Sequence, residues 1–167
     1  SKLDMQAIYN LIGNKIRHIF DAEGTLILMF DHATRMRHIA YHWEKGGRFS
    51  FPRQLPFNKL AEHLIATKQT IIIDQFSDDI RAKLEMKINP GTAPMKAGIF
   101  VPLIAGDLVT GVISIQNIES ENAFNDSDAR LLQTLANAMS VALENARLFD
   151  EVQRKNAEIT ESLEIQT

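Results

Sequence analysis

The side chains with most chemistry to offer are five histidines: His18, His32, His38, His42 and His63. Imidazole is the common protein ligand for zinc, non-haem iron and haem, so their spacing is the first thing to test. His38 and His42 lie in an alternating stretch and are read on one strand face. Four strand residues nevertheless separate them by about 13 Å. Two ligands of one metal need donor atoms within about 4 Å, because each bond is about 2 Å long. They could not share an ion in a regular strand, and no metal ligand is assigned. His63 is the histidine placed best for a haem; the others read as surface or packing residues. The chain has no Cys, which removes thiol catalysis, disulfides, thiolate metal sites and thioether-linked chromophores. There is no Gly-rich phosphate loop, no nucleophile motif and no pair of carboxylates on one helix face. Asp78-Asp79 reads as a helix cap and Glu119 to Glu121 as a solvated loop. No catalytic residue is assigned, and the domain is expected not to be an enzyme.

Composition narrows the class further. A chain of 167 residues, 45% apolar and 23% charged, suits one soluble domain around one core. A net charge of −3 recommends no nucleic-acid partner. No apolar run approaches the roughly 18 residues of a membrane span and no signal peptide is visible, so a cytoplasmic location without membrane contact by this segment is expected.

The elements that must position any site follow from periodicity. Residues 3–20 form an amphipathic helix with Met5, Ile8, Ile12, Ile16 and Ile19 on one face, widened by Leu11 and Phe20, and Gly24 marks its stop. Thr25 to Phe30 is apolar on both faces, as a covered central strand requires. Residues 35–45 alternate Ile39, Tyr41 and Trp43 against His38, Ala40 and His42, and pair antiparallel with the previous strand. Gly46-Gly47 breaks that strand, and an irregular, aromatic stretch runs from Phe49 to Pro56. A short helix spans 57–68, a brief strand covers Thr70 to Ile73, a weak helix opens at Ser77, and Asn89 to Pro94 is a loop. Residues 97–105 and 108–118 form a hairpin, with Pro102 requiring an edge or a position whose N–H is not needed. From Asp126 to Thr167 there is neither Pro nor Gly, and Leu132, Leu135, Met139, Ala142, Ala146 and Phe149 recur at helical spacing. This order predicts a layered α+β domain on a largely antiparallel sheet. The first and last helices share one face, and the segment 46–96 covers the other, where a pocket belongs.

On Gly111-Val-Ile-Ser-Ile-Gln-Asn117, then Phe124-x-x-x-Asp128, then Leu131-Leu132 and the Ala-rich helix Leu135 to Leu148, the chain resembles the GAF domain family of small-molecule sensor modules. The resemblance covers about residues 3–150. It implies a profilin-like central antiparallel sheet of about six strands, terminal helices that dimerise on one face, and a ligand pocket on the other. Cyclic-nucleotide-binding members carry an Asn-Lys, Phe, Asp-Glu motif. Asn117, Phe124 and Asp128 match it, but Ile118 replaces the Lys and Ala129 the Glu, so cyclic nucleotide is disfavoured. Covalent bilin is disfavoured by the absence of Cys, and so is the thiol-dependent reduction of methionine sulfoxide. The ligand stays unknown. Pocket candidates are Tyr41, Trp43, Phe51, Phe57, Leu60, His63, Ile73, Phe76, Met95 and Phe100.

Residues 1–150 are therefore expected to be a sensor domain, and 151–167 the start of a connecting helix whose thin apolar seam, Leu148, Val152, Ile159 and Leu163, meets a partner helix. The expected function is a regulatory, small-molecule-sensing, homodimeric domain of a larger bacterial signal-transduction protein. Its output would be a histidine kinase of a two-component system or a nucleotide cyclase. The alternative is a ligand-free structural dimerisation spacer, its cavity filled by Phe49, Phe51, Phe57, Phe76, Met86, Met95 and Phe100.

Overall fold

The computed structural model describes residues 2–46, 53–88 and 93–166. Helix α1 (Lys2–Phe20) leads into strands β1 (Gly24–Asp31) and β2 (Met36–Glu44). Strand β3 (Gln54–Pro56), helix α2 (Lys59–Thr67), strand β4 (Ile71–Ile73) and helix α3 (Asp78–Lys83) follow. The hairpin β5 (Ala97–Ala105) and β6 (Leu108–Asn117) precedes the long helix α4 (Asp126–Gln166). The strands form one antiparallel sheet in the order β3-β2-β1-β6-β5-β4. This is the α+β architecture the sequence predicts, with β1 and β6 at its centre.

The central strands are apolar on both faces because each face has its own core. On one side, Ile27, Ile99, Val101, Leu103, Ile113 and Ile115 pack with Ile16 of α1 and with Ala129, Leu132, Ala136, Met139 and Leu143 of α4. On the other, Leu28, Phe100 and Val112 pack with Leu60 and Leu64 of α2, Ile73 and Met95. The α4 stripe 129, 132, 136, 139, 143 alternates steps of three and four, the period of a single helix face. It differs from the expected stripe at Leu135, which is only partly buried beside Ala136, and after Met139, where the buried position is Leu143 and Phe149 is 62% exposed. Leu11 and Ile19 of α1 are likewise exposed, because α1 buries only the stripe centred on Ile16.

Local chemistry sets the ends of these elements. Asp21, at φ 47°, turns the chain after α1; a short polar side chain tolerates the left-handed region. Gly24 is instead the first residue of β1, paired with both Glu44 and Gln116. Asn58 Oδ1 accepts from Ala61 N at 2.9 Å and opens α2, and Ser77 Oγ accepts from Ile80 N at 3.2 Å and opens α3. Asn125 and Asp128 cap each other reciprocally: the Asp128 N–H donates to Asn125 Oδ1 and the Asn125 N–H to Asp128 Oδ2, both at 2.9 Å. Pro102 pairs with Val112 on its β6 side, while β4 reaches only Gly98 to Phe100 on the other. Its missing N–H therefore leaves no strand partner unsatisfied.

One irregularity decides what faces the pocket side. In the β1–β2 pair, Ile27 is opposite Tyr41 but Leu28 is opposite Ile39, so Ala40 is an extra residue, a β-bulge. Strict alternation would place Ile39, Tyr41 and Trp43 together. The bulge instead groups Arg37 and Ile39 with His42 and Glu44, and sends Tyr41 and Trp43 to the face covered by α1.

Candidate ligand cavity

The face of the sheet turned away from α1 and α4 holds a cavity of about 310 Å³, at the lower end of the range of small-molecule sites. Leu26 and Leu28 of β1 and Ile39 of β2 form its apolar floor. Phe57 and Asn58, before α2, make one wall; Phe76 and Arg81, around α3, make another, with Met86 and Met95 beside them. Phe57 is held in place by its neighbours, its ring centroid 5.4 Å from Phe30 and 5.8 Å from His32. The Arg81 guanidinium lies 4.7 Å from the Phe76 ring centroid and pairs with Asp78 Oδ1 at 2.9 Å.

Polar groups border the cavity both along β2, at Arg37, His42 and Glu44, and from the covering side, at Asn58, Arg81, Glu85 and Lys87. Arg37 donates from Nε to the Pro56 carbonyl oxygen at 2.9 Å, and burial lowers the pKa of its guanidinium. Burial likewise pushes the His42 imidazole below its ordinary value, favouring the neutral ring. Glu44, at the other end of the strand, is 8% exposed, and burial raises its carboxyl pKa. Gln116 of β6 borders the same end. An apolar hollow with a few aimed polar groups can hold and orient a small molecule. Among the described residues no group of three or more His, Asp or Glu side chains is arranged to hold a metal ion.

The structure brings together four of the ten residues expected at the pocket. Trp43, Phe57, Phe76 and Met95 border the cavity, although the Trp43 indole is covered from the α1 side by Arg17, whose guanidinium carbon lies 4.0 Å from the ring centroid. Leu60, Ile73 and Phe100 belong to the apolar cluster beneath α2 and are buried in it without bordering the cavity. Tyr41 is on the opposite face, its hydroxyl donating to Asn14 Oδ1 at 2.8 Å; the bulge put it there. His63 is exposed on the outside of α2, since Leu60, Ala61 and Leu64 take the inward positions. Phe51 lies outside the described residues. Sequence reasoning missed Arg37, His42, Glu44 and Gln116. The available signal was that polar residues of β2 fell beneath the covering segment 46–96, where a polar strand face lines a pocket instead of meeting solvent.

The motif residues have structural partners. Asn117 Oδ1 accepts from the N–H groups of Glu119 and Ser120 at 3.0 and 2.7 Å, Phe124 packs on the α1–α4 core, and Ile118 packs on the α2 side.

Comparison with known proteins agrees with this fold. Over 174 residues the chain is 22% identical to the formate hydrogenlyase transcriptional activator of Escherichia coli (strain K12), covering 98% of this chain and 25% of that protein. The chain thus spans about a quarter of the length of that relative. Among solved structures, it superposes on the PixJ GAF domain of Thermosynechococcus elongatus with a TM-score of 0.72 at 13% identity, covering 91% of this chain and 92% of that one. A methyl-accepting chemotaxis protein fragment gives 0.71 at 18% identity, covering 87% and 92%. The GAF domain of an Acinetobacter phosphoenolpyruvate-protein phosphotransferase gives 0.68 at 16%, covering 88% and 95%. These likenesses concern the fold. The GAF domain family model matches residues 2–144, and the chain belongs to the GAF domain family.

Proposed function

We propose that this domain is the small-molecule-sensing module of a larger signalling protein, with residues 1–150 as the sensor and the helix beyond them as the connector to an output domain. The observation that carries the reading is the cavity of about 310 Å³ on one face of the sheet, while the terminal helices pack on the other face, α1 behind β1 and β2 and α4 beside it over β5. A ligand that binds two arrangements of these layers with different affinity shifts their populations, and only such a difference can be transmitted. The domain is not itself catalytic in this reading and works in the cytoplasm. Its output is a histidine kinase or nucleotide cyclase, as the family resemblance suggests; a transcription regulator of the kind named among the relatives is a further form of output.

Homodimerisation through the terminal helices belongs to the same proposal. Leu11, Ile19, Val141 and Leu148 are large, apolar and exposed on α1 and α4, and Val152, Ile159 and Leu163 continue the exposed apolar positions along α4. A second copy of these helices would cover them.

Native mass spectrometry of the freshly purified protein, beside its denatured mass, tests both parts. The expected result is a dimer carrying a non-covalent mass that is lost when Ile39→Trp fills the cavity. A dimer with no added mass, and none gained from a metabolite extract, would favour the ligand-free spacer.

A further inference from the structure

Two glutamates are buried at the same end of the sheet, and their surroundings differ. Glu23 is 9% exposed, and its Oε2 accepts the backbone N–H groups of Ile118 at 2.6 Å and Glu119 at 3.1 Å. Glu44 is buried to the same degree, yet its Oε2 is enclosed without a hydrogen-bond partner. Among the described residues no cation pairs with Glu44; the basic side chains that border the cavity are Arg37, Arg81, His42 and Lys87, and Arg81 pairs with Asp78. An enclosed acceptor without a partner is costly, and a carboxylate more so than a neutral group. On the neighbouring strand, the Gly24 position opposite Glu44 has no side chain to pair with it.

The neighbours of Glu44 define what would satisfy it. Glu44, Gly24 and Gln116 lie in a row across β2, β1 and β6. With strands spaced by about 4.8 Å, the two outer Cα atoms are about 10 Å apart. Gly24 leaves the floor between them bare. A Cβ there would lie 3.4 Å from Gln116 Oε1, so that oxygen reaches over the glycine. Gln116 Nε2 is directed to Ser114 Oγ at 3.3 Å. This end of the cavity is therefore bordered by the Glu44 carboxylate and the Gln116 amide across a bare floor, and Leu26, Leu28 and Ile39 continue it as an apolar surface.

We propose that the cavity takes a ligand with a cationic, hydrogen-bond-donating head group, a primary ammonium or amidinium, seated between Glu44 and Gln116 with an apolar body over Leu26, Leu28 and Ile39. The inference rests on the reading of the cavity as a ligand site. Such a head group neutralises the Glu44 carboxylate and supplies the donors that the pair lacks.

Three probes of nearly one shape separate the possibilities: benzamidine, benzamide and benzoate. Each is titrated into protein labelled at Ile and Met methyl groups, and the signals of Ile39 and Met95 are followed. Benzamidine should bind at least about tenfold more tightly than either analogue, as expected for a charge-assisted hydrogen bond. Glu44→Gln should abolish that preference and leave benzamide affinity unchanged. Equal binding of all three probes, or a preference for benzoate, would overturn the cationic head group while leaving the cavity a ligand site. No shift of the Ile39 and Met95 signals with any probe would remove both readings. The selectivity of the unmodified protein is decisive even where the variant fails to fold.

Discussion

Glu44 and His42 stand two residues apart on the covered face of β2, and burial moves both toward their neutral forms. The carboxyl of Glu44 is raised from 4.5 and the imidazole of His42 is lowered from 6.5. The two shifts act on stability with opposite slopes. For Glu44, the folded state keeps the proton that the unfolded chain releases above 4.5. Stability is therefore lost as pH rises from that value through the folded pKa. For His42, the unfolded chain takes up a proton below 6.5 that the folded chain resists, so stability is lost as pH falls through that window. Glu44→Gln should raise stability at neutral pH by about 1 kcal/mol, since an amide costs less to enclose than a charge, and the gain should vanish below pH 4.5. His42→Gln should flatten the acid-side decline that begins near 6.5. Thermal melts of the three proteins across pH check both, and a gain from Glu44→Gln that persists under acid would mean the carboxylate is not the cause.

At the scale of elements, two glycines hold layers together by leaving room. A Cβ at Gly111 would run into the Leu28 backbone carbonyl of the neighbouring strand, with Met29 Sδ at 3.0 Å and Leu103 Cδ1 at 3.1 Å. Backbone cannot step aside, so Gly111→Ala should destabilise the fold by about 3 kcal/mol or more, at the upper end for an overpacked core. At Gly13 the obstacle is the Tyr41 ring, 2.5 Å from the added carbon. A side chain can swing away at the cost of its bond to Asn14, so Gly13→Ala should cost less, about 1–2 kcal/mol. Denaturant unfolding of the pair orders them, and a Gly13→Ala loss equal to that of Gly111→Ala would contradict this packing argument. The α4 cap is a third, independent contribution: Asn125→Ala removes the acceptor of the Asp128 N–H and should cost about 1 kcal/mol.

Over the whole molecule, α4 has two characters. Its 41 residues extend about 60 Å at 1.5 Å per residue, beyond the roughly 35–40 Å of a compact domain this size. The part up to Leu143 is buried against the sheet and α1. Residues 153–166 are exposed throughout, and a ladder in which Arg147 pairs with Glu144 and Glu151, and Glu151 with Lys155, supports the helix on the way. The exposed seam Leu148, Val152, Ile159 and Leu163 contributes nothing to the core. Truncation after Phe149 should therefore leave the melting temperature nearly unchanged and weaken the proposed dimer, as sedimentation would read. A truncated protein that dimerises as tightly as the parent would remove the tail from the proposed interface.

Much of this structure is written locally, and that part was legible. A helix face repeats every three or four residues, a capping hydroxyl at Ser77 opens a short helix, and strands apolar on both faces must lie at the middle of a two-sided sheet. The sequence by itself therefore determined the element order apart from β3, the two-sided core, the long final helix and, through the Gly111 to Asn117 and Phe124 to Asp128 signature, the family. Three things were decided only by the tertiary structure. The bulge at Ala40 exists because of how β2 registers on β1, and one extra residue reverses which side chains face the cavity. Strand β3 has three residues, too few to show a period, and is a strand because β2 is beside it. Leu60, Ile73 and Phe100 fill the α2 core while Phe57, Phe76 and Met95 border the cavity. All are equally apolar, and which of them pack and which stand at an edge is settled by residues distant in the chain, since a cavity is the space that long-range packing leaves unfilled.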